Sequence, residues 1–180
     1  MTTARDQVLG RIRRALADVP AGERPEDVPV ARDYQRAHAA PDPARTVDLL
    51  AENLADYRAV VHRVGAARLP DRIARSLAER GTRRAVRPRG LPAQWLAAAG
   101  PGVAWVRDAP ALGARELDAV DTVVTGCAVA VAETGTLVLD TSEGQGSRRI
   151  TLVPDHHICV VRVPDQVAAS VPLALERLDP

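Results

Sequence analysis

The sequence predicts an α/β protein: a mainly parallel sheet flanked by helices, with an antiparallel part toward its C-terminal end. Three observations lead there. Helical and strand-like segments alternate from residue 44 to about residue 120, the pattern of parallel strands joined by crossover helices. Beyond that point strand-like runs follow one another across short turns, which calls for local antiparallel or mixed pairing. Apolar residues make up 46% of the 180 residues and aromatic residues 2%, so a sizeable core must be built from Ala, Val, Leu and Ile.

Residues 3–17 read as a helix, because Val8, Ile12, Ala15 and Leu16 recur at helical spacing and Thr2 or Thr3 can cap it. The next stretch, 18–43, holds five prolines among many charges and reads as an irregular, extended arm. Such an arm either lies across a neighbour or partner or is a disordered tail. The predicted organisation is therefore an N-terminal helix and arm, 1–43, ahead of one α/β domain, 44–180.

Inside the domain, 44–57 is a helix with Val47, Leu50, Leu54 and Tyr57 on one side. Residues 58–64 read as a strand, and 69–81 as a helix that Pro70 opens and Gly81 ends. A strand at 83–88, a short helix at 91–100, a strand at 102–108 and a helix at 113–120 continue the alternation. Residues 121–133, DTVVTGCAVAVAE, read as one long apolar strand. Strands at 135–142, 148–154 and 157–163 follow. The chain closes with a helix at 164–178 that Pro172 bends or restarts.

Composition excludes several function classes. The formal net charge is +1 and the arginines are matched by acids throughout, which argues against nucleic acid as a partner. The scarcity of rings also argues against base stacking. Every basic residue is Arg, so neither a Schiff-base lysine nor a Walker-type phosphate loop can exist. The two cysteines, Cys127 and Cys159, sit in apolar runs and read as buried, inert thiols. They are too few for an iron–sulfur cluster, so no cofactor is expected in this chain. No histidine pair has the spacing of a helical zinc site, so no metal is expected, and His62 reads as a structural histidine. No apolar run approaches the roughly 18 residues of a membrane span. The first residues lack the apolar core of a secretion signal, and a cytoplasmic protein is expected.

Chemistry-bearing residues concentrate between 125 and 158. Glu133 stands at the end of an apolar strand and is followed by Thr134, Gly135 and Thr136. Gly135 permits a sharp turn, and carboxylates at strand ends often serve catalysis or binding in open α/β sheets. Gly144 and Gly146 flank Gln145 and can let backbone N–H groups converge on an anion. Arg148 and Arg149 add forked donors matched to carboxylate or phosphate. His156 and His157 are adjacent on a strand, so only one of them can face a given site.

In this order the pieces resemble the signature of the lactate-utilisation (LUD) domain family: Thr125-Gly126, Ala132 to Thr136, Gly144 to Arg149, Leu152 to Pro154, and His157-Ile158. The signature covers about a fifth of the chain and departs at position 128, Ala where many members carry an acid. The resemblance implies a fold similar to the NagB/RpiA/CoA-transferase-like group. It also implies a role in oxidising L-lactate to pyruvate beside partner proteins that carry iron–sulfur clusters.

On chemical grounds Glu133 and His157 are the candidate catalytic residues. Thr134, Gly135, Thr136, Gly144, Gly146, Arg148 and Arg149 are the candidate ligands of a small carboxylate or phosphate, all gathered round one pocket. Two other readings stand beside this one. One is a stand-alone enzyme of the CoA-transferase or sugar-phosphate-isomerase kind; the other is a non-catalytic assembly subunit. A homo-oligomer is compatible with all three.

Overall fold

Short runs of Ala, Val and Ile, bounded by Gly, Pro and charged turns, form the strands, and each is too short to be buried except beside its neighbours. In the computed structural model, which describes residues 3–20, 22–31, 33–38 and 42–178, the chain divides into two units, Met1–Gln35 and Arg36–Pro180. The division falls ahead of the expected domain start at residue 44.

The first unit holds helix α1, Ala4–Ala15. Thr3 caps it: its hydroxyl accepts from the Asp6 N–H at 3.2 Å, while the Asp6 carboxylate accepts from the Thr3 N–H at 3.1 Å. Thr2, the other candidate cap, lies outside the described residues. Val8 and Ile12 are exposed, and no residue of α1 is buried. Apart from one turn at Pro25–Asp27, the described part of the arm in this unit is irregular. Residues 21, 32 and 39–41 of the arm lie outside the description.

The second unit contains two sheets. The first joins β1 (Arg84–Arg87), β2 (Ala104–Arg107), β3 (Thr122–Gly126) and β6 (His156–Val160) in the order β2-β1-β3-β6, all parallel. The second joins β4 (Val129–Val131), β5 (Thr136–Val138) and β7 (Val167–Ala168), with β4 antiparallel to β5 and parallel to β7. The expected α/β class, with a parallel sheet and a later part containing antiparallel pairing, is what the chain forms.

Side-chain alternation sends successive residues of each strand to opposite cores. On one face of the first sheet, Ala85 and Val124 pack with Ile73 and Leu77 of α3, Leu69–Arg80. Ile73 and Leu77 are each 1% exposed, and burying each contributes about 1.5–3 kcal/mol. On the other face Val86 and Val123 pack with Leu117 of α4, Ala114–Asp118, and with Ile150. In the second sheet Ala130 packs with Leu50 of α2, Pro43–Asp56, while Val129 and Val131 pack with Ala174 of α5, Val171–Leu175. Tyr57, expected on the apolar side of α2, is 77% exposed.

Five expected elements differ. The single strand at 121–133 is two strands in different sheets: the Gly126 N–H leaves its ladder for the Gly144 carbonyl at 2.8 Å, and the Ala128 N–H pairs with Val138 at 2.9 Å. Both halves are buried, so hydrophobicity does not mark the break. The strand expected at 58–64 does not form despite its valines: among the described residues no strand pairs with this segment. The strand expected at 148–154 is a tight turn, Arg148–Thr151, closed by the Ile150 N–H on the Ser147 carbonyl. The long C-terminal helix is β7 followed by α5, which Ser170 caps and whose first turn contains Pro172. The helix expected at 91–100 shrinks to one tight turn, Ala93–Leu96.

Candidate functional site

After β1 the chain crosses to β2 on one side, and it later returns as β3 on the other. The connections leaving β1 and β3 therefore diverge at their carboxyl ends. In open parallel sheets a ligand crevice forms at such a reversal of strand order. A cavity of about 90 Å³ opens at this point.

Its floor is backbone. Gly90, beyond β1, has φ +78°, and a Cβ there would stand 2.6 Å from the Glu143 Cβ. The Gly144 N–H donates to the Arg89 carbonyl at 2.8 Å, and the Gly126 N–H donates to the Gly144 carbonyl at 2.8 Å. The glycine loop is thus stitched to the ends of β1 and β3. Leu91 and the half-buried Trp95 give the wall its apolar part.

Two glutamines hold the rim. Gln145 is 4% exposed; its Oε1 accepts from the Asp140 N–H at 2.8 Å and its Nε2 donates to the Ser142 hydroxyl at 2.7 Å. The Gln166 Oε1 accepts from the Arg162 N–H at 2.8 Å, and its Nε2 donates to the Cys127 carbonyl. Arg162 follows β6 and brings its guanidinium to the cavity. That group has no hydrogen-bond or ion-pair partner among the described residues. The Cys127 thiol also lines the cavity, and its hydrogen bond with Cys159, together with burial, pushes it well above the ordinary thiol range. Both causes hold the thiol in its neutral form.

The sequence-derived candidates do not gather here. Glu133 lies where the second sheet meets α5: its Oε1 accepts from the Val171 N–H at 3.0 Å and its Oε2 bonds His38 Nδ1 at 2.9 Å. Burial pushes the Glu133 carboxyl up, but the Val171 N–H and His38 outweigh it and hold the group below the ordinary glutamate range. Thr134 and Thr136 bond each other at 2.8 Å. Gly135, at φ +62°, lets this turn lie against α2, where a Cβ would come within 3.1 Å of Asn53.

The expected anion nest is already occupied by protein. The N–H groups of Gly144 and Gln145 donate to Arg89 and Ser142 carbonyls. Gly146, at φ +79°, is wedged so closely that a Cβ would meet Ile150 Cδ1 at 2.6 Å. The Arg149 guanidinium folds beneath the loop after β2 and donates to the carbonyls of Leu112 (2.8 Å) and Ala109. Arg148 is exposed. His157 packs on the side of the first sheet that carries Val123, with its Nε2 bonded to the Thr125 hydroxyl at 2.7 Å. Burial, and then the neighbouring His156, push its pKa down to about 4, so it is neutral at pH 7. Only Gly144 of the nine candidates lines the cavity.

Sequence reasoning missed Gly90, Trp95, Arg162 and Gln166. A glycine two residues beyond one strand-like run, 83–88, and an arginine next to the end of another, 157–163, were the available signals, but neither marks a ligand until the strand order is known. Among the described residues no three His, Cys, Asp or Glu side chains converge as a metal site. No helix among them is long and apolar enough to cross a membrane.

Comparison with known proteins bears on this architecture. Residues 47–180 match the LUD domain. The chain is 41% identical over 171 residues to the lactate utilization protein C of Deinococcus radiodurans, covering 93% of this chain and 73% of that protein. A crystal structure of a DUF162 family protein from Deinococcus radiodurans, 42% identical, superposes with a TM-score of 0.70 over 77% of this chain and 80% of the other.

Proposed function

The chain belongs to the LUD-domain family, and from that premise we propose that it serves L-lactate utilisation by holding a small carboxylate, lactate or pyruvate, at the switch point between β1 and β3. Partner proteins with iron–sulfur clusters take the electrons when lactate becomes pyruvate. The name of the Deinococcus relative supports the pathway. One observation supports the site: the Arg162 guanidinium stands without a partner among the described residues at a cavity between the carboxyl ends of parallel strands. A guanidinium fork is suited to a carboxylate, and the apolar wall of Leu91 and Trp95 suits a short carbon chain.

In this reading Glu133 and His157 position structure and do not touch the ligand. Glu133 ties the start of α5 to the second sheet. His157 is too weak a base, at about 4, to take a proton near pH 7. The test is calorimetric titration of the chain with L-lactate and with pyruvate. Arg162→Gln should weaken the binding about tenfold or more, as loss of a charged hydrogen bond does. The Arg162 side chain is exposed, so the melting temperature should hold. Equal affinity in wild type and variant sinks the assignment.

A further inference from the structure

A second concavity shares no residue with the one above. It lies between α3 and the extended segment just before it, and has a volume of about 350 Å³. Arg68, just ahead of α3, and Arg72 and Arg75 within it stand at i, i+4 and i+7 on one side, while Ile73 and Leu77 bury the opposite face of the helix. Arg63 and His62 come from the facing segment, and Val61 and Val64 add apolar surface.

The charges are unevenly satisfied. Arg63 pairs with Asp48 at 2.6 Å, and Arg72 pairs with Glu79 at 2.7 Å. Asp71 is the only acid that lines the cleft itself. Arg68 and Arg75 make no side-chain hydrogen bond or ion pair among the described residues. Arg72 is only 16% exposed, and its Nε is enclosed without an acceptor among the described residues. A buried donor left unmade is costly, about 1–3 kcal/mol, and proteins retain few of them. His62, expected as a structural histidine, is exposed here.

From this we infer that the cleft between α3 and residues 61–64 is a binding site for a diphosphate group. Such a group carries acceptors enough for the exposed forks of Arg68 and Arg75 together, with the Arg72 charge just behind them. Arg68 and Arg75 lie about 10 Å apart along the helix, at 1.5 Å per residue, and their long side chains converge on a ligand between them. Free pyrophosphate and the diphosphate of a nucleotide present the same chemistry. The valines favour the nucleotide, since they offer its organic part a surface.

The experiment titrates the full chain with inorganic pyrophosphate and with ADP by calorimetry. One site per chain is expected for pyrophosphate. The double variant Arg68→Gln/Arg75→Gln should bind at least tenfold more weakly with an unchanged melting temperature, because both side chains are exposed. Arg162→Gln should bind pyrophosphate as the wild type does, which separates this site from the carboxylate pocket. Tighter binding of ADP assigns the site to a nucleotide, and equal binding assigns it to the diphosphate alone. The inference is overturned if wild type shows no saturable binding or if the double variant binds equally. It is also overturned if Arg162→Gln abolishes pyrophosphate binding, or if a glutamate-rich peptide binds where pyrophosphate does not.

Discussion

The second sheet and the carboxyl edge of the first treat their polar residues in opposite ways. Around β4 and β5 the candidates have protein partners: Glu133 is held by Val171 and His38, and Thr134 by Thr136. At the edge of β1, β3 and β6 the Arg162 guanidinium is left without one, among the described residues, beside a cavity. A polar group fully satisfied by the fold is serving the fold. A charged group left over at a concavity is available to a ligand. The polar groups of Glu133 to Thr136 are thus bonded within the fold, while the cavity edge combines Gly126 and Gly144 of the signature with Arg162 from outside it.

The sharpest way to break this contrast is at Gly146. Gly146→Ala places a methyl 2.6 Å from Ile150 Cδ1 and 2.8 Å from Pro88 Cβ, at φ +79°. Overpacking and left-handed strain together should cost about 3 kcal/mol, read as a shift of the denaturant midpoint. Retained stability would mean the loop is loose and able to reshape around a ligand.

The two arginines of that loop come next. Arg149→Ala removes the donors to the 109–112 carbonyls and should cost about 1.5–2 kcal/mol while leaving carboxylate affinity unchanged. Arg148→Ala should stay within about 0.5 kcal/mol of wild type. If either variant lowers carboxylate affinity tenfold with stability intact, the loop belongs to the binding site after all.

The smallest effect is a pH dependence. The folded Glu133 carboxyl titrates below its unfolded value, so its contribution is fully present above the unfolded pKa and is lost as pH falls through the folded one. Glu133→Gln should therefore be less stable than wild type at neutral pH. The two should converge in thermal melts as the solution is acidified through the glutamate range. A constant gap across that range would show that the ionised carboxylate plays no part in holding α5.

How far the sequence could be read follows from the same contrast. Periodicity located α1, α2 and α3, and even the α3 cap at Gly81, because these depend on residues within a few positions of one another. It could not see that the run 121–133 changes sheet at Cys127, since both halves are equally apolar. Nor could net charge reveal the α3 cleft. A value of +1 over the chain averages away three arginines aligned on one side of it.

By itself, then, the sequence determined the α/β class, an Arg-only basic set, the family signature and the glycines that end α3 and turn the chain after Glu133. Local propensity and hydrophobic period act over a few residues and are written there directly. The tertiary structure alone decided which polar groups are left over. Whether Glu133, Arg149 or Arg162 has a partner depends on segments tens of residues away, and those meet only when the strand order β2-β1-β3-β6 brings them together.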